Sequence, residues 1–352
     1  MVQLKVIAII TDVLGRSVRT RLKEFFDMMI GEPLWFFRSN EWSKVYRSIT
    51  TIGFINFTRM RNSFTFILLF TIFIFSVLTI SAQEMGTVRT ALGKADHPAL
   101  GEISGIVSSR TYPGKYWVHN DSGDTGRIFL IDSVAKMSCE FHLEGVDAKD
   151  VEDIAWVRDK GRNYILLADI GDNLAKREEI KLYYFEEPMM KAGVSKDTIA
   201  STAIRTIVLN YPDKARDAEA IFVDPVDQRF YLISKRDFYS TLYSADIFRF
   251  KKDRYILRKE LEFPFTFVTT ADIAENGDAI IVKNLTQVFY WDRKTEESII
   301  SSLRKPFQKV SYSVEPQGEA IAFDHFPFTF VTISERPFGL DAYLYQYKYT
   351  KP

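Results

Sequence analysis

The chain has 352 residues, of which 46% are hydrophobic and 26% charged, so a well-buried core is expected and wholesale disorder is excluded. Its single cysteine, Cys139, excludes an internal disulfide framework and any cysteine-rich metal site. The formal net charge is zero, but residues 1–61 carry ten Lys or Arg and five Asp or Glu, so the remainder is acidic. Neither part has the concentrated basic face of a nucleic-acid binder, so nucleic acid is excluded as a partner.

An uncharged run without glycine or proline occupies residues 64–80, FTFILLFTIFIFSVLTI. Two arginines precede it and Ser81-Ala82-Gln83 follows, and these are the three parts of a secretory signal. Met60 stands just before the second arginine, which predicts a signal peptide over residues 60–82. On this interpretation residues 1–59 lie upstream of the true start and are not translated.

A retained signal anchor is the alternative, because the run is only slightly short of membrane-spanning length. The basic residues 1–59 would then stay in the cytoplasm, in agreement with the positive-inside rule. Under both interpretations the N-terminal apolar segment is an export helix. It sends everything after residue 83 to the periplasm or the extracellular space, with membrane contact only through residues 64–80 if they are not removed.

The exported part is internally repetitive. Five triplets share a polar or small residue, a small or acidic residue and then isoleucine, with successive isoleucines 48, 67, 52 and 48 positions apart. The triplets are Ser104-Gly105-Ile106, Glu152-Asp153-Ile154, Glu219-Ala220-Ile221, Ala271-Asp272-Ile273 and Glu319-Ala320-Ile321. Further β-prone runs with turn residues between them follow each triplet. Four short strands per unit of about 50 residues is typical of β-propellers.

The sequence therefore predicts an all-β fold: a single β-propeller of five four-stranded blades over residues 83–352. Six blades are the alternative, because the spacing of 67 leaves room for a further, irregular blade. Fourth strands are expected at residues 203–209, 255–261 and 298–303. The fifth unit ends with its third strand near the C-terminus, so residues 87–92 are expected to supply its fourth strand and close the ring.

Polar residues are expected on one face of the ring. The start of the innermost strand and the end of the second strand of a blade meet at that face, and most of these positions are polar or charged. Side chains from all blades would then converge at one mouth of the central channel. The candidate ligand-binding residues are Asn120, Asp121, Glu152, Asp153, Asp169, Asn173, Glu219, Lys235, Arg236, Asp272, Lys283, Glu319, Glu335 and Arg336. The structural alternative is that the acidic residues bind backbone N–H groups or pair with basic residues of a neighbouring blade.

Two second strands end in oxygen-rich glycine turns, at residues 120–124 and 169–173. Such turns suit Ca²⁺, although an Asx-turn that satisfies its own backbone is the alternative. The candidate calcium ligands are Asp121, Asp124, Glu152, Asp169 and Glu219. Four basic residues of the same face could hold a phosphate or carboxylate, or form ion pairs between blades. These are Lys235, Arg236, Lys283 and Arg336.

Four blade motifs carry a family resemblance. They are Asp150-Val-Glu-Asp-Ile-Ala155, Ala168-Asp-Ile-Gly-Asp-Asn173, Asp217-Ala-Glu-Ala-Ile221 and Gln317-Gly-Glu-Ala-Ile-Ala322. Over residues 100–347 the chain resembles secreted bacterial propellers of unassigned function, and also the SdiA-regulated periplasmic propellers and the phytase-like, or esterase-like, propellers. The SdiA-regulated resemblance implies a five-bladed ring. The phytase-like resemblance implies a metal-assisted hydrolase of phosphate esters, for which a complete acidic calcium cluster does not map onto this sequence.

Three functions are compatible with these observations. The leading hypothesis is an exported propeller that binds a ligand or an envelope protein at the polar face of its channel, without chemistry. The second is a Ca²⁺-dependent hydrolase of an anionic ester, with the five candidate calcium ligands on the metal and Lys235 and Arg236 holding the anion. The third is a structural or adhesion module of the cell envelope, which would expose an apolar patch. Whether the chain is an enzyme stays open, and no nucleophile elbow surrounds Ser122.

Overall fold

The computed structural model describes residues 84–121, 123–250, 252–294 and 296–350. The segment 60–82, interpreted as a signal peptide or anchor, and the extension 1–59 lie outside the described residues. Within the described part of the chain, none of the helices combines the length and the apolar character that crossing a bilayer requires.

Five antiparallel four-stranded units form the five blades of a β-propeller. Blade 1 consists of β2 (Ile103–Ser108), β3 (Lys115–Asn120), β4 (Arg127–Asp132) and β5 (Met137–Leu143). Blade 2 consists of β6 (Val151–Asp159), β7 (Arg162–Asp169), β8 (Ile180–Glu186) and β10 (Arg205–Asn210). Blade 3 consists of β11 (Ala218–Val223), β12 (Phe230–Ser234), β13 (Thr241–Ala245) and β15 (Arg258–Glu262).

The last two blades complete the ring. Blade 4 consists of β16 (Val268–Ile273), β17 (Ala279–Asn284), β18 (Val288–Asp292) and β19 (Gln308–Val310). Blade 5 consists of β20 (Ala320–Phe323), β21 (Thr329–Ile333), β22 (Tyr343–Tyr349) and the N-terminal β1 (Thr87–Lys94). Each first strand of blades 1 to 5 contacts the first strands of both neighbouring blades, so β2, β6, β11, β16 and β20 surround one axis. The predicted five-bladed, all-β architecture is confirmed.

Apolar side chains hold the blades against one another. Five clusters of buried apolar residues fill the five interfaces between neighbouring blades. Between blades 2 and 3, for example, Leu166 and Leu182 of blade 2 pack with Ile221 and Leu232 of blade 3. Burial of such side chains contributes about 1.5–3 kcal/mol each, which makes the stacked faces the main source of stability.

Closure of the ring follows the sequence prediction. β1 pairs antiparallel with β22, so the N-terminal strand is the outer strand of the last blade and joins the two ends of the described chain. The spacing of 67 between isoleucines is an insertion within blade 2. It contains β9 (Lys196–Ile199), which pairs in parallel with β5 at the outer edge of blade 1. The alternative of six blades is therefore wrong.

One predicted fourth strand is wrong. Residues 298–303 contain a short helix, α1 (Ile299–Leu303), and the fourth strand of blade 4 is β19 instead. The hydroxyl of Ser298 caps the helix by accepting a hydrogen bond from the backbone N–H of Ser301. The apolar pattern that indicated a strand is the buried side of this helix, where Ile299 and Leu303 pack into the core.

The predicted strand at residues 255–261 is two strands. β15 is the fourth strand of blade 3, as expected. The residues before it form β14 (Arg254–Ile256), which pairs in parallel with β10 of blade 2. Outer strands of neighbouring blades are thus linked by short parallel pairings, as β9 links blades 1 and 2.

Candidate ligand-binding site at the channel mouth

A β-bulge occurs at the same point of four innermost strands. The extra residue is Ser104 in β2, Glu152 in β6, Glu219 in β11 and Thr269 in β16. A bulge leaves its extra residue outside the ladder and re-aims the side chain. Glu319 precedes β20 at the corresponding position, since Ala320 pairs with Ile333 as Ala220 pairs with Ile233.

The position of the bulge also shows that the predicted triplet of blade 4 is misplaced. The residue that corresponds to Glu219 is Thr269, so the triplet expected at residues 271–273 is displaced by two positions. Asp272 consequently lies further along the channel from the carboxylates of the mouth. It accepts hydrogen bonds from the backbone N–H groups of Ile273 at 2.8 Å and Phe323 at 2.7 Å. Asp272 therefore has the structural role of an acceptor for backbone N–H groups.

Carboxylates from four blades come together at the mouth. Three overlapping groups have carboxylate oxygens that all lie within 4.8 Å of one another. The groups are Asp121, Glu319 and Glu335; Asp121, Asp150 and Glu152; and Glu152, Asp217 and Glu219. Because neighbouring groups share Asp121 or Glu152, the seven side chains form one continuous array, which we call the carboxylate array.

Most of the carboxylate array is withdrawn from water. Glu152 is 3% exposed and Glu219 is 2% exposed, whereas Asp121 and Asp150 are half-buried. Burial, together with the neighbouring carboxylates, raises the pKa of Glu152 well above its ordinary value and that of Asp150 to about 6. The same two causes raise the pKa of Glu335 to about 7. Near neutral pH the array therefore favours protons or another cation.

Lys235 supplies an ammonium within the array. Its Nζ pairs with Glu219 Oε1 and lies 3.7 Å from Glu319 Oε1. Burial opposes the charge on Lys235, but these two carboxylates outweigh it and hold the pKa of the ammonium above its ordinary value. The pKa of Glu219 is nevertheless raised well above its ordinary value, mainly by burial, with a further contribution from Glu319.

One oxygen of the array lacks a partner. Glu219 Oε2 is buried and accepts no hydrogen bond from any described residue. Nearby, the missing side chain of Gly171 provides room for the carboxylates: a Cβ there would lie 2.1 Å from Glu152 Oε1 and 2.4 Å from Asp150 Oδ2. The array therefore contains an unsatisfied buried oxygen, and the positions of the Glu152 and Asp150 carboxylates depend on glycine at position 171.

Two candidate calcium ligands lie outside the array, and each forms an ion pair with an arginine. Asp169 receives the backbone N–H groups of Lys149 and Asp150 and pairs with Arg177 at 2.8 Å. Asp124 pairs with Arg127 at 2.7 Å. Of the five predicted ligands, Asp121, Glu152 and Glu219 belong to the carboxylate array.

Three of the four basic candidates form side-chain ion pairs or hydrogen bonds with described residues, and Arg336 is the exception. Arg236 pairs with Asp217 and donates to Asn173 Oδ1. Lys283 is fully buried, donates to the carbonyl oxygen of Gly318, and has its pKa lowered to about 8 by desolvation. Arg336 forms no ion pair with any residue in the described ranges, and its buried Nε lacks a hydrogen-bond partner there.

Asp153 lies inside the ring rather than in the array. Its Oδ2 accepts from the backbone N–H of Ile221 at 2.8 Å, and its Oδ1 accepts from that of Ile154 at 2.9 Å. Thr270 Oγ1 contributes a longer contact of 3.4 Å to Oδ1. Asp153 thus ties blade 2 to blade 3, and burial raises the pKa of its carboxyl well above its ordinary value.

The sequence interpretation missed two members of the array, Asp150 and Asp217. Both occur in the motif Asp-x-Glu, two positions before Glu152 and Glu219. That spacing places the aspartate before the innermost strand and the glutamate on its bulge, so both carboxylates reach the same mouth. The repeated Asp-x-Glu pattern was the available signal.

The chemistry of the array is that of oxygen donors. Each of the three groups consists of carboxylates alone, without histidine or cysteine. Such a donor set fits Ca²⁺, which takes six to eight oxygen ligands, better than Zn²⁺ or other metals that prefer nitrogen and sulfur. The same carboxylates also fit an organic ammonium group, as the contact with Lys235 illustrates.

Comparisons with known proteins do not assign the chain to a family. No protein-family model matches the chain, and no curated protein matches it. Solved structures that are similar include one described as a nidogen/laminin complex, with a TM-score of 0.41 and 10% identity over 70% of this chain and 84% of that one. Another is an auxiliary nutrient binding protein from Bacteroides thetaiotaomicron, with a TM-score of 0.40 and 8% identity over 76% of this chain and 78% of that one. At this level of similarity neither carries an argument about ligand or activity.

Proposed function

We propose that this chain is an exported binding protein that takes a positively charged ligand at the mouth of its central channel, without chemistry on that ligand. The proposal rests on the carboxylate array. The apolar sequence of residues 64–80 supports export, and the composition and burial of the array support binding.

The observation that carries the proposal is the excess of buried carboxylates over cations. Seven carboxylates share the array with two cations, Lys235 and Arg236, and Glu219 Oε2 is buried without a partner among the described residues. Withdrawing uncompensated charge from water costs several kcal/mol per ion, so a ligand that brings positive charge recovers that cost. A hydrated divalent cation and a primary amine both meet this requirement.

Calorimetric titration of the chelator-treated protein with CaCl₂, and separately with 1,4-diaminobutane, tests the proposal. We expect at least one of the two probes to bind and to raise the melting temperature, because it stabilises only the folded state. Glu152→Gln and Glu219→Gln should each weaken that binding about tenfold or more. Glu186→Gln is the matched control, since Glu186 is exposed on the outer part of blade 2. No binding of either probe to the wild-type protein would refute the proposal.

A second candidate is a Ca²⁺-dependent hydrolase of anionic esters. The three overlapping carboxylate groups favour it, because they have room for more than one ion and paired ions polarise a phosphoryl oxygen. The engagement of Lys235 and Arg236 with carboxylates opposes it, because neither residue is left to hold an anion. Turnover of p-nitrophenyl phosphate that requires Ca²⁺ and disappears in Glu152→Gln would favour this candidate over simple binding.

A further inference from the structure

A cleft opens on the mouth face between blades 5 and 1. Its volume is about 490 Å³, which lies in the usual range for sites of small molecules. Its lining includes Glu102 just before β2, Asn120 at the end of β3, Asp124 and Arg127 from the loop and strand that follow, and Arg336 from the loop after β21.

The charges in this cleft fall into a paired set and an unpaired set. Arg127 pairs with Asp124 at 2.7 Å and with Glu140 at 3.2 Å, so that guanidinium is neutralised by the protein. Arg336 and Glu102 form no ion pair with each other or with any residue in the described ranges, and Arg336 Nε is buried without a partner there. One positive and one negative side chain thus line the same cleft without compensation.

Asn120 provides an independent indication of a ligand. The residue is 8% exposed, and its Nδ2 donates to the carbonyl oxygen of Ala99 at 2.8 Å and to Asp124 Oδ2 at 2.7 Å. These two hydrogen bonds fix the orientation of the amide. Oδ1 is then a buried acceptor that receives no hydrogen bond from the described residues. An acceptor in this state is available to a donor that the described residues do not supply.

We propose that this cleft binds a zwitterion, namely a free amino acid or a short peptide with both termini unblocked. Arg336 binds the carboxylate through the paired N–H groups of its guanidinium, a geometry that matches a carboxylate. The ammonium group donates to Asn120 Oδ1 and pairs with Glu102. One ligand thereby pairs with both charged side chains and supplies a donor to Asn120 Oδ1.

The cleft adjoins the carboxylate array and is distinct from it. Glu102 lines the cleft, and its charge contributes to the raised pKa of Glu335 in the array, after burial, Glu319 and Asp121. Glu102, Asn120 and Arg336 belong to none of the three carboxylate groups. The inference therefore goes beyond the cation site, and binding in the cleft requires no ion in the array.

The test is a thermal-shift and calorimetric screen of the full chain with the twenty amino acids and the dipeptide Ala-Ala. We expect at least one of these zwitterions to bind. Its N-acetyl derivative, which lacks the ammonium, and its methyl ester, which lacks the carboxylate, should each bind about tenfold or more weakly. If no member of the screen binds, or if the blocked forms bind as well as the zwitterion, the proposal is wrong.

Substitutions then assign the two charges of the ligand. Arg336→Met should weaken binding of the zwitterion about tenfold or more and leave binding of the methyl ester unchanged. Glu102→Gln should weaken the zwitterion and leave the N-acetyl derivative unchanged. Arg162→Met is the matched control, because Arg162 is an exposed arginine on blade 2 and far from the cleft in the fold. Equal loss of all three ligands in Arg336→Met would indicate a purely structural role and overturn the assignment.

Discussion

Lys235 Nζ lies 3.7 Å from Glu319 Oε1, which joins the end of the second strand in blade 3 to the start of the innermost strand in blade 5. Blade 4 stands between these two blades in the ring, so the contact reaches across the channel mouth. The same ammonium pairs with Glu219 of its own blade. A single lysine therefore compensates two buried carboxylates of an array that contains five more.

Lys235→Met should reveal how much the array depends on this cation. Removing one member of a buried ion pair leaves a carboxylate uncompensated, so we expect a loss of about 3 kcal/mol in the free energy of unfolding near pH 8. Binding of Ca²⁺ should become tighter, because the competing ammonium is gone. Urea unfolding and calorimetry measure the two effects.

Lys259→Met is the matched control for that variant, since Lys259 pairs with Glu262 on the exposed outer strand of blade 3. It should change stability by less than about 1 kcal/mol. If Lys235→Met and Lys259→Met unfold at the same urea concentration, the proposed compensation at the mouth is absent.

Glu335 should give the stability of the protein a specific pH dependence. Burial first, and then the charges of Glu319, Asp121 and Glu102, raise its pKa to about 7 in the folded state. In the unfolded chain the value is near 4.3. Between about pH 4.3 and 7 the folded state holds the proton more firmly, so this group's contribution to stability is lost as pH rises.

The prediction is a difference between Glu335→Gln and the wild-type protein in the presence of a chelator. Subtracting the wild type is necessary because His119, whose pKa is lowered to about 4 by burial, has the opposite pH dependence. Relative to wild type, the variant should gain about 1 kcal/mol between about pH 5 and pH 7.5, after allowance for solvent screening. A difference that stays constant with pH in urea unfolding would contradict the raised pKa.

Asp153 should contribute to the stability of the propeller and not to the affinity for the ligand. Its two carboxylate oxygens receive backbone N–H groups of Ile154 and Ile221, and the second of these belongs to the next blade. In Asp153→Asn one of these donors would face an NH₂ group, so we expect a loss of about 1–3 kcal/mol. Ca²⁺ affinity should stay within a factor of three, measured by calorimetry below the unfolding temperature. An exposed aspartate, Asp253, provides the control substitution to asparagine.

The sequence predicts the architecture better than the site because the two depend on different features. The fold is predicted from five copies of a pattern that ends in isoleucine. A misplaced triplet in one copy does not change the predicted number of blades. Blade 4 is an example: its predicted triplet begins two positions after the bulge residue Thr269, yet it lies within the innermost strand β16. The helix Ile299–Leu303 was missed because five residues are too few to distinguish a helical from an extended apolar pattern.

Membership of the carboxylate array depends on partners that sequence alone does not reveal. Asp169 resembled a ligand, but Arg177 and two backbone N–H groups occupy its oxygens. Asp150 and Asp217 are absent from the predicted ligand set because each stands before the triplet that marks its strand. On a regular strand, residues two positions apart share a face but lie about 7 Å apart. The β-bulges at Glu152 and Glu219 re-aim each glutamate, so that its carboxylate lies close to that of the aspartate at the same mouth.

Gly171→Ala should separate ligand binding from folding. A Cβ at this position would lie 2.1 Å from Glu152 Oε1 and 2.4 Å from Asp150 Oδ2, so both carboxylates would have to move. Their ends are flexible, and the backbone of Gly171 does not occupy the left-handed region, so the fold should tolerate the methyl group. We expect the free energy of unfolding to fall by less than about 1.5 kcal/mol and the affinity of the cation to fall about tenfold or more.

Gly86→Ala is the control for this variant, because a Cβ at Gly86 would meet no atom within 4 Å. It should leave both stability and cation binding unchanged. Calorimetric titration with CaCl₂ and urea unfolding of the two variants give the comparison directly. Wild-type affinity in Gly171→Ala would mean that the cation does not use the ends of Glu152 and Asp150, and the binding site would then have to lie away from the part of the array that these two carboxylates form.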